Sequence, residues 1–163
     1  MDFDGFYRDT SRRLLRYAYG LTGDPGEAQD LVQEAYARAW QRWRKVSGYE
    51  DPEAWLRLVV NRLSTDRWRR IGIRRARAAA EPPPDSVAPP SEDLVLLVRA
   101  MRELPDNQRR ALALHYLLDR SVAEIAAETG SSLGTVKSWL SRGRAALAAT
   151  LGATEAEGAR RVH

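Results

Sequence analysis

The chain has 163 residues and a hydrophobic content of 44%, enough for a packed core, which excludes a globally disordered protein. It has no cysteine and only two histidines, His115 and His163, which excludes disulfides, thiolate metal sites and histidine-rich metal sites. The net charge of +4 is segregated: residues 38–77 carry +8 and 131–148 carry +3, against −3 for 1–37 and −4 for 78–130.

Two basic blocks separated by acidic ones suit a protein that touches a polyanion at two places; solvated helix faces are the plainer alternative. No apolar run approaches the roughly 20 residues that span a bilayer, so no membrane insertion is expected. The opening MDFDGFYRDT is acidic and aromatic, unlike a secretory leader, and a soluble cytoplasmic protein is expected.

In chain order, the first predicted helix runs from about residue 3 to 20, with Phe6, Leu14, Tyr17 and Ala18 available for burial. Gly23 then ends one helix, while Asp24 caps the next with Pro25 at its first position. The second helix extends to about Trp43 and gathers Ala28, Leu31, Val32, Ala35, Ala39 and Trp43 on one side. Asp30, Glu34, Ala37 and Gln41 fall opposite. A third helix starts after Asp51-Pro52 and runs to about Arg70. Its apolar stripe is Leu56, Val59, Val60 and Leu63; Arg57, Asn61, Ser64 and Trp68 cluster on a different side. Of the four tryptophans in this stretch, Trp43 belongs with the core, Trp40 at its edge and Trp55 on a flank. Trp68, beside Arg57 and Asn61, is the indole suited to stacking, with Tyr49 the other aromatic candidate.

Residues 78–93, AAAEPPPDSVAPPSED, hold five of the eight prolines and read as an extended linker. Beyond it, Leu94, Leu97, Val98, Met101 and Leu104 make a helix stopped by Pro105, and residues 107–118 make another. Ser121 then caps a short helix with Val122, Ile125 and Ala126 inward, Gly130 supplies a turn, and Ser132 caps a final helix with Leu133, Val136, Leu140 and Leu147 inward. That spacing is a helix-turn-helix. The outward Gly134, Thr135, Lys137, Ser138, Ser141, Arg142 and Arg144 are small or basic, as a helix seated in a major groove requires. The expected architecture is all-α: a helical domain over 1–77, the Pro/Ala-rich linker 78–93, a helix-turn-helix domain over 94–150 and a disordered tail over 151–163.

The runs DPGEAQDLVQEAYARAW and WLRLVVNRLSTDRWRR resemble conserved region 2 of bacterial sigma factors, and LPDNQRRALALHYLLDRSVAEIAAETGSSLGTVKSWLSRGRAAL resembles their region 4. With only these two regions, the chain is similar to group 4 sigma factors, the extracytoplasmic-function type. The resemblance implies a protein that is no enzyme and needs no cofactor or metal. Its partners would be core RNA polymerase, through the β′ and β subunits, and promoter DNA, duplex upstream and single-stranded at the minus-ten element. Asp30, Leu31, Val32, Gln33 and Glu34 match the signature that docks on the β′ clamp helices. Ser47, Gly48, Tyr49 and Glu50 stand in the loop that receives a flipped minus-ten base. Asn61, Arg69 and Arg70 match the adjoining recognition surface, to which the helical count adds Arg57 and Trp68. The outward residues of the last helix, Gly134 to Arg144, correspond to those facing the minus-thirty-five duplex. Lys137 stands where many relatives carry arginine and lacks the bidentate fork. Many relatives are held inactive by an anti-sigma factor, and nothing in the sequence identifies one.

Two other readings stay open on the residues alone. One is a dimeric helix-turn-helix regulator with a sensing domain over 1–77, which leaves the DLVQE run unexplained. The other is a metal-dependent nuclease, which would need an acidic or histidine cluster; Asp30 and Asp66 are isolated among basic or apolar neighbours, and neither histidine has a triad.

Overall fold

The structure, a computed structural model, describes residues 1–71 and 91–162, and side chains for 1–67 and 91–152. Residues 72–90, which include most of the expected linker, lie outside the described residues. The chain divides into two compact units, Met1–Val87 and Ala88–His163. Among the described residues every regular element is helical.

In the first unit, α1 (Phe3–Thr22) starts at Asp2, whose carboxylate accepts from the Gly5 N–H at 2.8 Å. It stops at Gly23, whose φ of 72° only glycine adopts freely and whose N–H reaches the Tyr19 carbonyl. Asp24 accepts from the Gly26 and Glu27 N–H groups and opens α2 (Pro25–Gln41) with proline at its first turn. Both caps are local chemistry and fall where the sequence puts them.

The second helix does not continue to Trp43. It breaks at Arg42, whose ψ of 24° leaves the helical range, and α3 (Trp43–Val46) restarts after it. The break lets two apolar groups pack at once. Trp43 sits 5.5 Å from Phe3 and 5.2 Å from Phe6 between ring centroids, while Val46 is fully buried. Asp51 then caps α4 (Pro52–Ile71) by accepting from the Ala54 N–H.

α4 packs against both α1 and α2. Leu56, Val59 and Val60 are buried as expected, but so are Arg57 and Ser64. A helix covered from two sides buries more than one stripe, and the single-stripe count from the sequence missed the second contact. A bidentate ion pair, Arg13 Nε to Glu53 Oε1 at 2.8 Å and Nη2 to Oε2 at 3.2 Å, also joins α1 to α4.

In the second unit, Ser91 caps α5 (Glu92–Met101). After Pro105 comes α6 (Asp106–Leu112), which runs into a π-helical turn over Ala113–Leu117. Arg109 is buried and closes the end of α5. Its Nε donates to the Met101 carbonyl at 3.2 Å and its Nη2 to the Leu104 carbonyl at 2.7 Å, while Asp106 lies 3.3 Å from Nη1. Burial is the main cause that holds this guanidinium below its ordinary pKa.

Ser121 and Glu124 form a reciprocal capping box on α7 (Val122–Thr129), and Gly130, at φ 67°, makes the turn. The last helix, α8 (Leu133–Val162), buries Val136, Leu140, Gly143 and Leu147. Leu133, expected inward, is exposed at the first position of the helix. α8 also runs on to Val162, through residues expected to be a disordered tail. The alanines and charged residues of that stretch favour helix, a propensity that the missing apolar stripe concealed.

Candidate protein- and nucleic-acid-binding surfaces

Three surfaces carry the residues singled out by the sequence. The first is the outward side of α2. Asp30, Gln33 and Glu34 are exposed, with Asp30 and Glu34 one turn apart. The two carboxylates are engaged by neighbouring cations at the surface. Asp30 Oδ2 lies 3.6 Å from Arg67 Nη2 on α4, and Glu34 Oε1 accepts from Arg38 Nε at 3.0 Å. Exposed pairs of this kind contribute little to stability and exchange readily for another cationic partner. Leu31 and Val32 are a correction: they are 2% and 7% exposed and belong to the core between α1, α2 and α4. Their period along α2 is that of the buried stripe, so they anchor the helix that carries the acidic residues.

The second surface surrounds the segment between α3 and α4. Ser47 donates to the Arg44 carbonyl at 3.4 Å, and Gly48 and Glu50 are exposed. The Tyr49 ring lies 6.4 Å from that of Trp55, which fixes one side of the loop. Asn61 is half-buried on α4. Arg57 is the second correction. Its side chain is buried, with Nη2 3.7 Å from Asp51 and Nη1 4.0 Å from Glu53, so it ties the loop end to α4 instead of facing solvent. The side chains of Trp68, Arg69 and Arg70 lie outside the described residues, although their backbone continues α4.

One exposed aromatic was undervalued. Trp40 is 63% exposed, its ring 5.2 Å from Phe3, and it shares an open groove with Arg42, Arg44 and Lys45. Helical arithmetic places it on the flank of α2 towards the core. The sequence does not show that Phe3 and Trp43 fill that flank first.

The third surface is the outward side of α8. Gly134, Thr135, Lys137, Ser141, Arg142 and Arg144 are exposed and Ser138 is half-buried. A Cβ built at Gly134 meets nothing within 4 Å, so the helix is open there. The Thr135 N–H donates to the Ser132 hydroxyl at 3.1 Å, which fixes the start of the helix. Arg144 Nη1 donates to the Tyr116 hydroxyl at 3.1 Å, a contact that joins α8 to the π-helical turn. No acidic residue occurs between 131 and 148.

Comparison with known proteins accounts for both units. The chain matches the family model for Sigma-70 region 2 over residues 6–73 and that for Sigma-70, region 4 over residues 94–147. It is 34% identical to the RNA polymerase sigma-E factor of Streptomyces coelicolor, over 90% of this chain and 84% of that one. It is 32% identical to the ECF RNA polymerase sigma factor SigL of Mycobacterium tuberculosis, over 89% of this chain and 86% of the other. Among solved structures it is similar to the sigma factor RpoE of Bartonella quintana, co-crystallised with the anti-sigma factor NepR. That match has a TM-score of 0.68 and 26% identity, and covers 91% of this chain and 97% of that one.

Proposed function

The chain belongs to the extracytoplasmic-function group of the sigma-70 family, a promoter-directing partner of RNA polymerase, and on that premise we propose how its surfaces divide the work. Asp30, Gln33 and Glu34 dock on a basic surface of the β′ clamp helices, supported from below by Leu31 and Val32. The loop Ser47-Gly48-Tyr49-Glu50, with Asn61 and the end of α4 at Trp68, Arg69 and Arg70, holds the separated minus-ten strand. The outward side of α8, from Gly134 to Arg142, enters the major groove of the minus-thirty-five duplex, with Lys137 and Arg142 as its cations. Arg57 acts beneath the second surface as a strut.

One observation carries this division. An acidic surface on α2 and a wholly non-acidic one on α8 lie on helices whose opposite sides are core, so each is presented to a partner of opposite charge. A separate sensing domain over residues 1–77 is set aside, because region 2 occupies that stretch.

Sigma factors are initiation factors rather than enzymes, and this chain adds binding, not chemistry, to the polymerase. Among the described residues no helix is long and apolar enough to cross a membrane. Its place of action is the cytoplasm, where polymerase and promoters are, and an anti-sigma factor is a further partner of the class seen with the Bartonella quintana protein.

The test is retention of core polymerase on immobilised protein at moderate salt. Asp30→Ala and Glu34→Ala are each expected to weaken retention several-fold while the thermal melting point stays where it was. Full affinity in both variants removes α2 from the docking surface.

A further inference from the structure

We infer that Tyr116 is a positioning residue that holds Arg144 ready to contact a backbone phosphate beside the groove; this rests on α8 being the duplex-facing helix. Tyr116 is presented by the π-helical turn. Leu112, Ala113, Leu114 and Leu117 are all buried, and the wider π-helical turn accommodates them while leaving Tyr116 49% exposed. The ring is then fixed by its neighbour. His115 Nδ1 lies 2.8 Å from the Arg120 carbonyl, and the imidazole meets the Tyr116 ring edge-on, at 4.8 Å and 85°.

The phenol oxygen of Tyr116 accepts from Arg144 Nη1 at 3.1 Å. Arg144 lies two helical turns after Lys137, on the same flank of α8. The acceptor matters because it is neutral. Several other arginines are instead ordered by carboxylates: Arg13 by Glu53, Arg38 by Glu34, and the half-buried Arg120 by Glu124 and Glu128. Those pairings spend the cation's charge on a protein anion. A phenol fixes the guanidinium without neutralising it and leaves its other N–H groups for a ligand. A guanidinium fork held in place between the π-helical turn and a rigid helix suits the oxygens of a phosphodiester. Ordering it before binding removes part of the entropy cost of docking.

Such a contact carries no base information, so it strengthens binding to every duplex alike. The test is a double-mutant cycle on the full chain: Tyr116→Phe, Arg144→Ala and the pair together. Each is titrated across a salt series with a duplex carrying a promoter's upstream element and with a scrambled duplex of equal length. Tyr116→Phe is expected to weaken both duplexes by about threefold, the scale of one lost hydrogen bond. Arg144→Ala weakens both further and lowers the salt slope by about one. The double variant then behaves like Arg144→Ala alone, and Arg144→Lys keeps the slope but no longer responds to Tyr116→Phe. Melting curves identify any variant that loses its fold.

Independent, multiplying losses from the two substitutions would overturn the positioning role. So would a Tyr116→Phe effect confined to the element duplex. If wild-type protein binds neither duplex, alone or with core polymerase, the failure belongs to the duplex-facing assignment of α8 instead.

Discussion

Arg57 is the residue at which the linear pattern and the folded chain part most clearly. On a helical wheel it joins Asn61 and Trp68 and reads as part of a cationic face; in the fold it is buried, with Asp51 and Glu53 as ionic neighbours. Which side of a helix faces water depends on what covers it, and α4 is covered by two helices that lie far from it in sequence. Arg57→Ala is therefore expected to destabilise the first unit by about 1–3 kcal/mol in chemical denaturation, through lost packing and the lost ion pair of a buried guanidinium. Unchanged stability with lost strand binding would return Arg57 to the DNA surface. Leu31 and Val32 teach the reverse lesson. Their periodicity already placed them in the core, and it was the match to a contiguous docking signature that drew them to the surface. Tyr36 is a residue that no pattern singles out. The Thr10 hydroxyl donates to the Phe6 carbonyl, so the Tyr36 phenol donates to Thr10 at 2.6 Å, and burial raises its pKa from the ordinary 10.0 to about 12. Between pH 10 and 12 the unfolded chain loses this proton while the folded chain keeps it, so stability falls as pH rises through that window. Tyr36→Phe should flatten the fall in denaturation midpoint above pH 10; an equally steep fall in that variant would assign it to other groups.

At the scale of the element, local chemistry was legible and tertiary chemistry was not. The caps at Asp24-Pro25, Asp51-Pro52 and Ser121, and the turn at Gly130, need only neighbours within a few residues, and each lies where the sequence suggests. The break at Arg42 and the π-helical turn at Ala113–Leu117 answer to packing by distant groups, and neither has a signal in the chain. Gly143 is of this second kind. A Cβ there would stand 2.7 Å from Leu112 Cδ1, so the glycine lets α8 cross close to α6. Gly152, further along α8, has nothing within 4 Å of its Cβ position. The same substitution should therefore act with opposite sign at the two sites. Gly143→Ala is expected to cost about 1–3 kcal/mol by overpacking, against a Leu112 that is 2% exposed and has little room to shift. Gly152→Ala should leave stability unchanged or raise it by up to about 1 kcal/mol from helix propensity. Equal melting points for the two variants would mean that the crossing of α6 and α8 is looser than the structure has it.

At the scale of the molecule, the alternation of charge along the chain and the proline-rich break between two helical stretches already pointed to two binding units. The motifs in each pointed to polymerase and promoter. What sequence could not supply was burial: Leu31, Val32 and Arg57 lie beneath the surfaces to which their motifs assign them. On the proposed division of work both units act together, one on polymerase and minus-ten strand and the other on upstream duplex, to choose where transcription starts. This joint action is tested by mapping the 5′ ends of transcripts made on genomic DNA by core polymerase with and without this protein. The expected result is a limited set of new start sites, each preceded by two shared sequence elements at a constant separation. Start sites indistinguishable from those of core polymerase alone would contradict it.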